Sequence, residues 1–211
     1  MINYNWRINN PYVFTQHDNE IIITGRALGK PWKDKHYKEV KDRIREHLRR
    51  QQNDRCAFCR LHVPSGQFYP HIEHIVPKGS REEFTFVSHN LAYSCQLCNF
   101  GKGQRSTLID PVCVDYPMRG EEFNIVHPYF DDYPDHIDFI EELLIIPKNN
   151  SLKGRRTIEF YKLDRTKLAL DRAFELNINN NAISIDKLTL RLTREDDPAI
   201  IETILALIDA F

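Results

Sequence analysis

Two sets of residues in this chain are spaced for chemistry. In PHIEHIVPKGS, residues 70–80, the side chains of His71, Glu73 and His74 crowd together ahead of a Pro77-Lys78-Gly79 turn. On either side stand two Cys-x-x-Cys pairs, Cys56/Cys59 and Cys95/Cys98. Four thiolates supplied by two such turns make a closed tetrahedral site for Zn²⁺, with no position left for reaction. The ion would be structural, and its binding would contribute folding free energy. A carboxylate between imidazoles offers something else. The carboxylate can hold a cation, and an imidazole that is neutral at cellular pH can take a proton from water. His71 and Glu73 share strand parity, so they can face the same side. The competing reading of this stretch is a half-buried strand that alternates polar and apolar residues without a chemical role. For the cysteines it is buried free thiols. His62 is a rival ligand, because Cys59-x-x-His62 also has ligand spacing, and Cys113 reads as a small buried side chain.

These groups need elements to position them. The gap between the cysteine pairs is about twice that of a simple zinc ribbon, so the His/Glu stretch lies in an insert clamped at both ends. A hairpin-like piece is expected around Phe68 to Ile75, and a turn and short helix after NLAYSCQLCNFGKG. Upstream, Ile21-Ile22-Ile23 reads as a strand. From Trp32 to Gln52, Tyr37, Val40, Ile44 and Leu48 recur at helical spacing and predict an amphipathic helix with an exposed basic face. Downstream, HPYFDDYPDHIDFI reads as acidic and loop-rich, and KNNS near 148 and NINNNA near 177 read as loops. GRRTIEFYKLDRTKLALDRAFEL is mainly helical, with Asp164 placed to cap a following helix. EDDPAIIETILALIDAF carries a capping Asp197, Pro198 at a first helical position, and an apolar face of Ile200, Ile201, Ile204, Leu205, Ile208 and Phe211.

Composition is that of a folded protein: 211 residues, 41% hydrophobic and 28% charged, with net charge −1. No run of about 18 apolar residues suggests a membrane span. The start, MINYNWRINN, lacks the basic and apolar regions of a signal peptide, so a cytoplasmic location is expected. Paired cysteines there favour metal over disulfides. Lys30 to Arg60 is strongly basic, and nearly every charge from Asp115 to Glu142 is negative, which points to two surfaces with different partners. Solvated helix faces are the plainer reading. No internal repeat or low-complexity tract is present.

The order Cys-x-x-Cys, HIEHIVPKG, HNLAYSCQLCNFGKG resembles the HNH family of ββα-metal nucleases over roughly residues 55 to 105. The resemblance implies an α+β fold: a zinc-stabilised ββα-metal core with flanking, mainly helical N- and C-terminal segments. The expected divisions are 1–52, with the basic helix; 53–110, the nuclease core; and 111–211, an acidic loop region and a helical region that could dock a partner. By the same resemblance His74 is the general base, and Glu73 and Asn99 hold a divalent ion such as Mg²⁺ or Mn²⁺. Asn90 fixes the loop that orients the base, and Lys102 contacts a phosphate. Many relatives have Asp where this chain has Glu73, which leaves the choice of metal open. His71 stays open between an extra metal ligand, a group behind the ligands, a phosphate contact and a plain surface or core histidine.

The flanks, WKDKHYKEVKDRIREHLRRQQNDRCAFC and FNIVHPYFDDYPDHIDFI with GRRTIEFYKLDRTKLALDR, resemble the HNH subunits of Septu-type bacterial anti-phage systems; related HNH proteins accompany some retrons. That resemblance implies an ABC-type ATPase partner, with the acidic or C-terminal apolar surface as its candidate dock. The implied activity is phosphodiester hydrolysis in DNA. RNA, for example tRNA, is an alternative substrate, since such a site reads phosphate rather than sugar. A catalytically inactive, zinc-stabilised nucleic-acid-binding module is the alternative from another class.

Overall fold

Ile21, Ile22 and Ile23 lie in a helix rather than a strand: α1, Gln16–Ala27. The computed structural model describes residues 7–63, 70–178 and 185–210. Two local signals override the β preference of the isoleucines. Thr15 and Asp18 form a reciprocal capping box. Burial also falls on Asp18, Ile22 and Gly25, the spacing of one helix face and not of strand alternation. Burial alone would raise the Asp18 carboxyl, but hydrogen bonds from Thr15, Arg43 and Tyr12 outweigh it and hold it at about 2.

The second helix, α2, spans Lys38–Gln51, later than its predicted start at Trp32, because Asp34 caps a short 3₁₀ turn at Lys35–Tyr37. Tyr37, Val40, Ile44 and Leu48 are buried as their spacing requires. The outer face is less basic than its composition suggests. Lys38 and Arg45 pair with Asp42, Arg43 with Glu39 and Asp18, and Arg49 with Glu46 and Asp54.

Next come β1 (His71–His74) and β2 (Leu91–Ser94), which pair antiparallel with His71 opposite Ser94 and Glu73 opposite Ala92. The pairing is made across the 75–90 connection, not by a tight hairpin near Phe68; residues 64–69 lie outside the described ones. Helix α3 (Gln96–Lys102) begins inside the CQLC sequence rather than after it, because the Cys95 sulfur caps it by accepting from the Cys98 N–H at 3.5 Å.

The acidic stretch is more ordered than its loop-like composition implies. It holds a single turn, α4 (Tyr133–His136), and a hairpin of β3 (Ile137–Ile140) and β4 (Leu144–Pro147). Glu141 and Glu142, at φ 50° and 63°, make the tight turn between these strands. Helices α5 (Leu152–Tyr161), α6 (Thr166–Ile178), α7 (Ile185–Leu192) and α8 (Pro198–Ala210) follow. Asp197 caps α8 by accepting from the Ala199 N–H at 2.9 Å, as the sequence predicts. The buried face of α8 centres on Ile204 and Leu207, with Ile200 and Ile208 partly buried beside them, whereas Leu205 is exposed. Phe211 and most of NINNNA lie outside the described residues, and α6 reaches into the start of that tract.

The fold is thus mixed α and β, with small two-stranded sheets. One core gathers α1, α2, β1, β2 and α5 with the first cysteine turn. A second joins the β3–β4 hairpin to α6, α7 and α8. Among the described residues no helix is long and apolar enough to cross a membrane.

Candidate active site and metal centre

Cys56, Cys59, Cys95 and Cys98 converge, with their ligand atoms all within 4.8 Å of one another. The Cys59 and Cys95 sulfurs are 3.8 Å apart. That matches the edge of about 3.8 Å of a tetrahedron with Zn–S bonds of about 2.3 Å. Backbone N–H groups of Phe58 and Cys98 point at the Cys56 and Cys95 sulfurs, each at 3.5 Å. Crowding by neighbouring cysteines holds the thiols of Cys59 and Cys98 well above the usual range, so the set needs a cation before all four can ionise. Burial and donor set therefore fit a structural zinc. His62 is exposed and stands outside the cluster. Cys113 is half-buried rather than buried, and Arg81 donates to its sulfur at 3.5 Å.

Three arginines surround this centre. Arg60 is buried next to Cys59 in sequence. Arg165, just ahead of α6, reaches the Cys98 sulfur at 4.0 Å, and Arg172 on α6 donates to the Cys59 carbonyl. Zinc with four thiolates would carry a net charge of about −2, which these guanidinium groups would offset. Sequence spacing gave no sign of Arg165 or Arg172, because both come from far along the chain.

The His/Glu stretch forms the second centre. Glu73 is 3% exposed, and its carboxylate lies 2.9 Å from the Lys102 ammonium. Burial pushes the Glu73 carboxyl up to about 7, against the pull of Lys102. Rather than projecting into solvent, Lys102 is 2% exposed and also donates to the carbonyls of His74 at 2.8 Å and Ile75 at 3.3 Å. It ties α3 to the end of β1. Asn99 lies one turn before it on α3 and is half-buried.

His74 ends β1. Its Nε2 lies 3.1 Å from the Thr85 carbonyl oxygen, which can only accept, so Nε2 carries the proton and Nδ1 keeps its lone pair. Burial, reinforced by the charge of Lys78, pushes the ring down to about 3. The Trp32 ring meets it in a T-shaped contact at 4.6 Å between ring centroids. Asn90 is fully buried and bonds both backbone groups of Val76, at 2.6 and 3.1 Å, and the Phe84 carbonyl at 3.0 Å. It thereby fixes the 75–90 connection that carries Thr85. His71 sits at the rim, its ring against Phe100 of α3. The structure therefore joins Glu73 to Lys102, His74 to Thr85 and Trp32, and His71 to Phe100. Trp32 and Thr85 were not legible as site residues, since a lone Trp and a loop carbonyl have no spacing to read.

No family model matches the chain. It is 26% identical to the Septu protein PtuB of Bacillus thuringiensis over 147 residues, covering 69% of this chain and 47% of that protein. It is 28% identical to the Septu protein PtuB of Bacillus mycoides over 149 residues, covering 62% of this chain and 50% of that protein. The chain is PtuB-like, and it spans about half the length of these relatives.

Proposed function

We propose that this chain is a metal-dependent endonuclease of the HNH type that acts in Septu-type anti-phage defence. The observation that carries the proposal is the joining of β1, β2 and α3 around Glu73 and His74, pinned at both ends by the four-cysteine centre. The likeness to Septu PtuB proteins supplies the biological setting.

In this reading Nδ1 of His74 takes a proton from water, while the Thr85 carbonyl holds Nε2–H and so the ring orientation. The water oxygen attacks phosphorus, and the bond to the leaving oxygen breaks. One carboxylate with an amide oxygen suits a hard ion that completes its coordination with water and substrate phosphate. Glu73 and Asn99 would hold that ion, which when bound supplies positive charge against the phosphate. Lys102 pairs with Glu73 and anchors β1; this ion pair and its two carbonyl acceptors make it a positioning residue rather than a phosphate contact. Asn90 holds the connection behind the base. Nucleic acid is the substrate, with DNA as the first expectation, and an ABC-type ATPase is the proposed partner.

The test is cleavage of plasmid, single-stranded DNA and total RNA with Mg²⁺ or Mn²⁺ and the ATPase partner present. We expect His74→Ala to lower the rate by about 10²-fold or more. Absence of product from the unsubstituted chain on every substrate would sink the proposal. Cleavage that survives His74→Ala would remove the assigned base.

A further inference from the structure

We propose that Phe100 and His71 form a stacking platform for an unpaired base, so that the strand presented to the Glu73–His74 centre is single-stranded nucleic acid. The proposal rests on the nuclease reading and names the form of its substrate.

Phe100 is 64% exposed, and Leu97, one turn earlier on α3, is 49% exposed. The inward residues of the same helix are Cys98, in the metal centre, and Lys102, on Glu73. An exposed phenyl ring contributes little to folding, and the ring contact this one makes is with a site residue. It stands edge-on to His71, with centroids 5.6 Å apart and an interplanar angle of 68°. His71 and Glu73 lie on the same side of β1, about 7 Å apart along the strand. A base resting on this pair would place the neighbouring phosphate on the Glu73 side of β1, where an ion held by Glu73 could meet it.

The surrounding charge suits a polyanion. Arg45 lies near enough to His71 to act on it electrostatically, and Lys78 acts on both Glu73 and His74. Arg105 is exposed just beyond α3. Arg45 pairs with Asp42, which it shares with Lys38, and its sequence neighbour Glu46 is taken up by Arg49 and Arg50. Basic groups that track a backbone, with an aromatic ring between them, are how single strands are held. A phenyl ring has no donor or acceptor for base edges or phosphate; it offers only a face or an edge, and an unpaired base exposes the matching surface.

The test uses full-length, zinc-loaded chain carrying His74→Ala to prevent cleavage, with and without Phe100→Ala or Phe100→Trp. Binding is read on DNA and RNA oligonucleotides, single-stranded and duplex, with 2-aminopurine as a stacking reporter. Phe100→Ala should weaken single-strand binding roughly tenfold and relieve the quenching of 2-aminopurine, while Phe100→Trp restores both. Duplex binding should change by less than about twofold, since its charge contacts are untouched. The separate DNA and RNA arms show which sugar is preferred. Equal single-strand binding by Phe100→Ala overturns the platform and leaves the nuclease reading standing if the unsubstituted chain cleaves. An equal loss on duplex also overturns it, as does a loss confined to binding of the ATPase partner, which would make Phe100 a protein-docking residue. Failure of the His74→Ala parent to bind any oligonucleotide removes the platform and, if the unsubstituted chain does not cleave either, the nuclease reading with it.

Discussion

An ammonium group with 2% of its residue exposed needs partners inside the protein, and Lys102 finds carbonyl acceptors in His74 and Ile75 and a counter-charge in Glu73. Removing one member of such a buried pair leaves the other uncompensated. Lys102→Met should therefore destabilise the chain by about 3 kcal/mol. Adding Glu73→Gln should recover much of that loss, because a neutral amide tolerates burial better than a lone carboxylate. Urea denaturation of the two single variants and the double variant measures the coupling. A Lys102→Met chain that unfolds at the wild-type midpoint would show that the pair contributes no stability. Asn90 works in the same way at the back of His74, exchanging three buried hydrogen bonds with Val76 and Phe84.

Among the elements, α3 and the start of α6 depend on the cysteine centre for their placement. Cys95 caps α3, while Arg165 and Arg172 reach the centre from the C-terminal half. If the centre holds zinc, its removal by a chelator would take away the charge that holds the four sulfurs together. Hydrogen exchange should then speed up in α3 and in the first turns of α6 together, while the Val40, Ile44 and Leu48 stripe of α2 loses protection later. Arg165→Gln should release zinc to a competing chelator faster than wild type. Unchanged release would mean that this guanidinium group is not stabilising the charged centre.

For the molecule as a whole, buried histidines set the response to acid. His127 is fully buried, accepts from the Tyr129 N–H at Nδ1 and shares a hydrogen bond with Tyr116 at Nε2. Burial first, then the charge of Lys153, holds it well below its ordinary value of 6.5. Below about pH 6.5 the unfolded chain therefore binds a proton that the folded chain refuses, and stability falls as pH drops. His74 and His89 shift in the same direction, while Glu73, raised to about 7, works the opposite way between about 4.5 and 7. The clean readout is a comparison: melting temperature from pH 8 to 5 should fall less steeply in His127→Gln than in the wild type. Parallel slopes would exclude His127 as a source of acid sensitivity.

Several features needed nothing beyond neighbouring residues. Cys-x-x-Cys spacing fits one tetrahedral ligand set, and the four sulfurs do converge. The Tyr37, Val40, Ile44 and Leu48 stripe and the Asp197-Pro198 helix start follow from helical period and capping alone. Other features depended on partners distant in the chain. A run of three isoleucines satisfies strand and helix patterns alike, and the Thr15–Asp18 box with burial of Ile22 in one row with Asp18 and Gly25 selects the helix. The β3–β4 hairpin was hidden because Glu141-Glu142 occupies a turn usually marked by Asn or Gly. The burial of Lys102 and the meeting of Phe100 with His71 arise when α3 packs across β1. Spacing and capping are properties of a few consecutive residues. Burial and charge pairing arise when distant segments share one core, and local pattern does not encode which segments those are.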